Sequence, residues 1–113
     1  MKVFISQPMR GKTDEEILAE REKAIRAVKE FCSYESDEEC EIIDSFFQEA
    51  PVGVKPLWYM GESIKLLAEA DLAYFVKGYE KARGCVIEVM CARLYGIPTF
   101  FEDAALTFNR IQD

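Results

Sequence analysis

One acidic residue stands in an otherwise apolar helical segment, and it is the residue best placed to do chemistry. Glu88 lies in the run from Gly84 to Gly96, whose other side chains are mostly apolar or small. A carboxylate in such surroundings is costly unless it is paired or functional. The pattern predicts a site residue, and a carboxylate kept ionised by the helix dipole would suit a nucleophile. The alternative is that Glu88 only complements the positive N-terminus of its helix.

The helix that carries Glu88 is apolar on almost every side, so we expect it to be largely buried. At about 100° per residue, the side chains that share a face with Glu88 are mostly small, which would leave space over the carboxylate. These residues are Gly84, Cys85, Cys91, Ala92 and Tyr95. The preceding turn, Lys77 to Arg83, contributes Tyr79 and Arg83 as further candidate contacts.

A second candidate site is the turn after the first apolar run of the chain. Gln7-Pro8-Met9-Arg10-Gly11-Lys12 follows a predicted strand, and Thr13 with Glu16 fits a capping box that starts a helix. A strand followed by a turn and a helix N-terminus is a natural anion site. Arg10 can hold a phosphate bidentately, whereas Lys12 offers a point charge. The alternative is a solvated loop with two ordinary surface cations.

The elements around these residues alternate between strands and helices. Predicted strands cover Lys2 to Ser6, Cys40 to Ile43 (ending at Asp44), Leu72 to Val76 and a run that starts at Ile97. Predicted helices run from Thr13 to about Phe31 or Cys32, from Leu57 to Ala70, from Gly84 to Gly96 and from Glu102 to Ile111. This order predicts an α/β fold, a flavodoxin-like or Rossmann-like three-layer sandwich with a four- to five-stranded parallel sheet. The Gln7–Lys12 turn, Asp44 and the Tyr79–Glu88 segment then converge at the carboxyl ends of the strands, where such sheets bind ligands.

Composition limits the classes of function. The 113 residues fit one domain, 1–113, and the net charge of −7 argues against binding a nucleic-acid polymer. No apolar run approaches the roughly 18 residues needed to span a membrane, and the start of the chain lacks a secretory signal, so we expect a cytoplasmic protein. Four cysteines without a C-x-x-C pair, and no histidine, predict reduced thiols, no metal site and no cofactor.

The long connection from Ser45 to Lys55 is typical of a lid or a binding loop. Phe46 and Phe47 in this loop, and the aromatic start of the next helix at Trp58 and Tyr59, predict apolar surface that a homodimer would cover. The alternative is that these aromatic side chains close the monomer's own core.

The chain resembles the nucleoside 2-deoxyribosyltransferase superfamily over nearly its whole length, and most of all the small branch that includes nucleoside 5′-phosphate N-glycosidases. The strongest similarity is Gly84-x-x-x-Glu88-x-x-x-Ala92-x-x-x-Gly96. The resemblance implies that Glu88 is the nucleophile that attacks the anomeric carbon. It also implies that the first loop holds the sugar or 5′-phosphate, and that members form dimers or larger assemblies. The matching segments are Ile5-Ser6-Gln7-Pro8-Met9-Arg10-Gly11 and Gly78-Tyr79-Glu80-Lys81-Ala82-Arg83-Gly84.

Three positions depart from the family pattern. An aspartate proposed to assist at the base falls on Ser63, beside Glu62. A tyrosine of the first strand falls on Phe4, and a polar residue six positions before the nucleophile falls on Ala82. Glu62 or a water molecule is then the evident proton donor for the leaving base.

Three hypotheses follow from this sequence. The first is a nucleoside or nucleoside 5′-monophosphate N-glycosidase or deoxyribosyltransferase that uses Glu88. The second is a non-catalytic nucleotide-binding module on the same fold, which the residues at positions Ser63 and Ala82 favour. The third is a relative that cleaves a dinucleotide, as TIR-like domains do with a helix-borne glutamate.

Overall fold

The computed structural model describes residues 1–35, 39–45 and 50–102 of the chain. Four strands are present: β1 (Lys2–Ser6), β2 (Glu41–Ile42), β3 (Leu72–Phe75) and β4 (Thr99–Phe101). They alternate with three α-helices, α1 (Asp14–Glu35), α2 (Pro56–Leu67) and α3 (Arg83–Leu94), and a short 3₁₀ turn covers Tyr79–Lys81. The helix predicted from Glu102 to Ile111 lies outside the described residues apart from its first position, Glu102.

The four strands form one parallel sheet in the order β2-β1-β3-β4. β1 pairs with β3 from Val3 opposite Leu72 to Ser6 opposite Phe75. The predicted α/β fold is confirmed, with four strands, and it is consistent with a flavodoxin-like or Rossmann-like three-layer arrangement. The chain leaves β1 towards β2 and then crosses to β3 on the other side, so the topological switch point lies between β1 and β3.

The sheet is covered on both faces because successive side chains of a strand point to opposite sides. Val3 and Ile5 of β1 pack with α1, through Ala24, Val28 and Cys32. Phe4, Ala73 and Phe75 pack on the other face with α2 and α3, through Leu67, Val89 and Ala92. β3 is therefore buried along its whole length and β1 from Val3 to Ser6, as expected for a parallel sheet.

The predicted capping box at the start of α1 is confirmed. The Thr13 backbone N–H donates to Glu16 Oε1 at 3.0 Å, and the Glu16 backbone N–H donates to Thr13 Oγ1 at 3.1 Å. The helix runs on to Glu35, beyond the predicted end at Phe31 or Cys32. α2 ends earlier than predicted, at Leu67.

The prediction that the third helix is largely buried is wrong. Within the described residues, only Cys85, Glu88, Val89 and Ala92 of α3 are buried. Met90 is 55% exposed and Leu94 is 77% exposed. One side of α3 packs on the sheet and α2, and no described segment covers the opposite side. The apolar pattern all round the helix therefore leaves an exposed apolar surface.

The cysteines differ from the sequence-based expectation of reduced thiols. Cys32 near the end of α1 and Cys40 just before β2 are joined as a disulfide, with their Cα atoms 6.2 Å apart. That separation lies within the usual range for disulfides. Cys85 and Cys91 carry free thiols. Among the described helices, none combines the length and the apolar character needed to cross a membrane.

Candidate active site

A cleft of about 930 Å³ lies at the carboxyl ends of β1 and β3, at the switch point of the sheet. Five segments line it: the end of β1 with the loop that follows, Ser45 after β2, the start of α2, the turn after β3, and the first two turns of α3. Two glycines lie where these segments meet. A Cβ at Gly78 would lie 3.7 Å from the Pro8 side chain, and a Cβ at Gly84 would lie 3.7 Å from the Met60 sulfur. Gly78 also has φ of +94°, a conformation that favours glycine.

Glu88 lies in this cleft and is 93% buried, with 7% of its surface exposed. The Ser6 hydroxyl at the end of β1 donates to Glu88 Oε1 at 2.5 Å. The Ser63 side chain on α2 also hydrogen-bonds to Glu88. Three different elements thus fix one carboxylate, and the side chain faces the point where ligands bind in parallel sheets.

Burial raises the pKa of Glu88 to about 7. The hydrogen bonds from Ser6 and Ser63 lower the pKa, but desolvation is the larger effect. The expectation that the helix dipole keeps Glu88 ionised is therefore corrected: near neutral pH both the carboxylate and the carboxylic acid are populated.

Cys85 lines the same cleft one turn before Glu88 and is not a nucleophile. Burial, together with the nearby Glu88, raises the pKa of the Cys85 thiol to about 11, although a hydrogen bond with Ser6 and the charge of Lys12 act in the opposite direction. The thiolate is the reactive form of cysteine, so a thiol protonated at neutral pH is inert.

Gln7 is among the residues that line the cleft, but its amide group forms hydrogen bonds with residues of α1. The Gln7 Nε2 donates to the Ile17 carbonyl at 3.0 Å, and its Oε1 accepts from Arg21 Nη1 at 3.3 Å. Arg21 is buried and donates from Nη2 to the Ile43 carbonyl at 2.9 Å. Burial lowers the pKa of Arg21, with the charge of Asp44 opposing the shift. These contacts tie the loop after β1 to α1 and to the end of β2, which gives the first wall of the cleft a fixed position.

The charged side chains that line the cleft are one acid and four bases. The acid is Glu88, and the bases are Arg10, Lys55, Lys81 and Arg83. All four bases are exposed, and none of them forms a salt bridge with another described residue. Five cations elsewhere are paired: Lys2 with Glu69, Lys12 with Glu20, Lys23 with Glu102, Arg26 with Glu22, and Lys65 with Glu62. The cleft is therefore a positive region of an acidic protein.

Most of the residues predicted from the sequence come together in the cleft. These are Ser6, Gln7, Pro8, Met9, Arg10, Arg83, Gly84 and Glu88. Four others are not among the lining residues: Gly11, Asp44, Glu62 and Tyr79. The Glu62 carboxylate accepts from Lys65 Nζ at 2.9 Å on the surface of α2. The Tyr79 ring packs on Phe75 and Phe101, with its centroid 5.8 and 4.8 Å from theirs.

Lys12 also takes a different position from the one its sequence suggested. Its ammonium group donates to both carboxylate oxygens of Glu20, at 2.7 and 2.8 Å. Lys12 is not among the residues that line the cleft, so Arg10 is the cation that this loop presents to it.

The sequence analysis placed Glu62 of α2 in the site and marked the Ser63 position, but it did not identify the face of α2 that lines the cleft. Ser63, Tyr59 and Met60 line the cleft from one side of this helix, and Lys55 lies at its N-terminal cap. Helical spacing could have identified this face, because residues three and four apart lie on the same side of a helix. Lys81, in the turn before α3, was also missed.

Among the described residues, no group of three or more histidine, cysteine or acidic side chains is arranged to hold a metal ion. Comparisons with protein-family models, with curated proteins and with solved structures found no significant match for this chain.

Proposed function

We propose that the protein cleaves the N-glycosidic bond of a nucleoside 5′-monophosphate with Glu88 as the nucleophile, as a member of the nucleoside 2-deoxyribosyltransferase-like superfamily. The observation that carries the proposal is the placement of one buried carboxylate in a cleft whose other charged lining residues are cations. Cleavage of such a bond develops positive charge at the anomeric carbon, which a carboxylate stabilises or traps. The cations suit the phosphate of the same substrate.

The reaction divides into two steps. The Glu88 carboxylate attacks the anomeric carbon, the carbon–nitrogen bond breaks, and its electron pair leaves with the base, which takes a proton from water. Water then attacks the anomeric carbon of the glycosyl ester, which releases the sugar phosphate, a proton and the free carboxylate. In a transferase, a second base would take the place of this water.

Water is the better proton donor for the leaving base in this proposal. Glu62 is the other candidate, but its carboxylate is paired with Lys65 and is not among the residues that line the cleft. Glu88 is the single carboxyl group among the described lining residues. A base that leaves readily, or one protonated before cleavage, would therefore be favoured as substrate.

Ser6 and Ser63 act as positioning residues for Glu88. Their hydrogen bonds lower its pKa, and so they raise the fraction of carboxylate that is available for attack. Because the two hydroxyl groups come from β1 and α2, they also fix the carboxylate relative to both walls of the cleft.

A non-catalytic nucleotide-binding module is the second candidate. One observation favours it: the pKa of Glu88 is raised to about 7, so a substantial part of this side chain is protonated and not nucleophilic at neutral pH. Such a module would bind nucleotides through the same cations and release no base.

Chromatographic detection of free base separates the two functions. The purified protein is incubated with a panel of ribo- and deoxyribonucleosides and their 5′-monophosphates, and Glu88→Gln is the matched control. We expect free base from at least one monophosphate and none with the control. Calorimetric binding of monophosphates without any release of base would instead support the binding module, and release that persists in Glu88→Gln would reject the assigned nucleophile.

We also propose that the chain forms a two-fold homodimer through the exposed apolar side of α3. Met90 and Leu94 supply this surface. Of the aromatics expected near the contact, Phe46 and Phe47 lie outside the described residues, and Trp58 stacks edge-on against Tyr59 at 5.1 Å. Light scattering should give twice the 13.0 kDa mass of the chain, and Met90→Glu should halve it. A mass of one chain for the unmodified protein would reject the dimer.

A further inference from the structure

The four cations of the cleft exceed what a single phosphate group needs. Arg10, Lys55, Lys81 and Arg83 stand against one carboxylate, which leaves an excess of three positive charges even when Glu88 is ionised. A phosphomonoester carries about −1.5 to −2 charges at neutral pH. One such group therefore leaves part of the positive lining without a counter-charge.

These cations come from three separate segments of the chain. Arg10 lies in the loop after β1, Lys55 precedes α2, and Lys81 and Arg83 lie at the end of the 3₁₀ turn and the start of α3. Four cations at one point could all contact the same phosphate group. Cations that come from three segments of the cleft wall can contact more than one phosphate group. Because a low-dielectric cleft focuses the field of its charges, the whole set attracts an anionic ligand.

The exposed cations that form no salt bridge are concentrated in the cleft. Among the described residues, Lys29 and Lys77 are the two others. Five cations elsewhere among the described residues have acidic partners within 4.0 Å, although the chain carries 21 acidic residues against 14 basic ones. The cleft therefore gathers four of the six exposed cations that have no such partner among the described residues. An anionic ligand would supply the missing partners.

The size of the cleft leaves room for a larger ligand. Its volume of about 930 Å³ lies at the upper end of the range of roughly 300–1,000 Å³ for small-molecule and cofactor sites. The start of α3 adds open donors in the same place, because its cap residue Ala82 makes no side-chain hydrogen bond to the helix.

We infer that the substrate of this cleft is a nucleotide that carries a diphosphate group, with Arg10 on one phosphate and Lys81 and Arg83 on the other. This inference rests on the proposed function in taking the same cleft as the substrate site, and it extends the substrate class from nucleoside monophosphates to nucleotides with a second phosphate. A nucleoside diphosphate and a dinucleotide share this group, in a terminal and in a bridging position respectively.

Isothermal titration calorimetry with inorganic phosphate and inorganic pyrophosphate tests the inference without knowledge of the base. We expect pyrophosphate to bind at least tenfold more tightly than phosphate. The double variant Lys81→Gln/Arg83→Gln should lose most of this difference, because it removes the second set of contacts. Both residues are exposed, so the fold should persist, and circular dichroism checks this.

The matched control is Arg26→Gln/Lys29→Gln, which removes the same charge from α1. These exposed residues lie outside the cleft, on the helix that covers the other face of the sheet. The control should keep the tenfold preference. Equal affinity for phosphate and pyrophosphate, binding of neither, or an equal loss in the control variant would each overturn the inference.

Titrations with AMP, ADP and NAD then identify the form of the diphosphate. Tighter binding of ADP than of NAD indicates a terminal group, and the reverse indicates a bridging group. AMP that binds as tightly as both would contradict the inference. The proposed glycosidase can fail separately: release of base from monophosphates with no preference for pyrophosphate rejects only the diphosphate, whereas that preference without any release of base rejects only the glycosidase.

Discussion

The starts of α1 and α3 occupy equivalent positions in the fold, but their backbone N–H groups and nearby cations have different partners. Each helix follows a central strand, has a cation close to its first turn, and carries a glutamate early in its sequence. At α1, the Glu16 carboxylate and the Thr13 hydroxyl cap the helix, and Lys12 is paired with Glu20. At α3, the cap residue makes no side-chain hydrogen bond, and Arg83 has no salt bridge among the described residues.

The pKa values of the two glutamates are therefore shifted in opposite directions. Hydrogen bonds from Thr13 lower the pKa of the exposed Glu16, whereas burial raises the pKa of Glu88 to about 7. A strand, a turn with cations and a helix N-terminus are therefore not enough to make a ligand site. The site forms where the helix does not satisfy its own donors and charges, because a ligand can then do so.

The two helix starts should differ most in base release when the carboxylate of each, Glu88 or Glu16, is replaced by an amide. Glu88→Gln should abolish base release, because an amide cannot act as the nucleophile, while the fold persists. Glu16→Gln should leave base release unchanged, because Glu16 only caps α1. Chromatographic assay of both variants at saturating substrate checks this. If Glu16→Gln lost turnover while its circular dichroism spectrum was unaltered, Glu16 would do more than cap α1, and the proposed difference between the two glutamates would be wrong.

The pH dependence of stability should separate the same two residues. The carboxyl of Glu88 ionises near 4.5 in the unfolded chain but near 7 in the folded one, so between these values the folded state binds more protons. Stability should therefore fall as pH rises from about 4.5 to 7, by about 3 kcal/mol, and then stay level. The lowered pKa of Glu16 acts in the opposite sense, since its contribution is lost as pH falls.

Urea denaturation at a series of pH values measures this effect. The free energy of unfolding of Glu88→Gln is subtracted from that of the wild-type protein, so that the titration of the other groups cancels. This difference should decrease by the same amount as pH rises from about 4.5 to 7. A difference that does not change between pH 4.5 and 7 would show that the folded environment leaves Glu88 with an ordinary pKa.

The two cations of the first loop should differ in their effect on ligand affinity. Arg10→Ala should remove about 1.5–3 kcal/mol of the preference for monophosphates over nucleosides, the range for a charge-assisted hydrogen bond. Lys12→Ala should leave this preference intact, because its ammonium group is engaged with Glu20 outside the cleft. Calorimetry with a nucleoside and its 5′-monophosphate compares the two variants. An equal effect of both would mean that Glu20 releases Lys12 when the ligand binds.

Local patterns in the sequence predicted much of the fold. The bounds of β1 and the capping box of α1 were correct, because both depend on residues that are adjacent in the chain. The parallel sheet followed from the alternation of strands and helices, and the position of Glu88 at the carboxyl ends of the strands followed from the sheet. These features need no knowledge of distant contacts.

Features that depend on distant contacts could not be predicted in the same way. The pairing of Lys12 with Glu20 and of Cys32 with Cys40 depends on how each loop folds back. The exposure of Met90 depends on which segment, if any, covers the outer side of α3. The raised pKa of Glu88 depends on the depth of its burial, which an early position in a helix does not reveal.

The smallest effect should be the change in stability when the cap of α1 is removed and a cap is added to α3. Thr13→Ala removes the hydroxyl that accepts the Glu16 N–H and should cost about 1 kcal/mol. Ala82→Ser should add about the same amount, because residue 82 already has the extended backbone of a cap residue, with φ −108° and ψ 116°. Urea denaturation at one pH measures both changes.

The same Ala82→Ser variant shows whether the open start of α3 serves the ligand. A serine hydroxyl would accept a backbone N–H that an anion otherwise uses, so a more stable protein should bind pyrophosphate more weakly. Ala82→Gly provides the control, because it adds no acceptor while it changes the same position. If Ala82→Ser gained stability and kept its full affinity for pyrophosphate, the anion would be held by the side-chain cations alone. The difference between the two helix starts would then lie in their salt bridges and not in their caps.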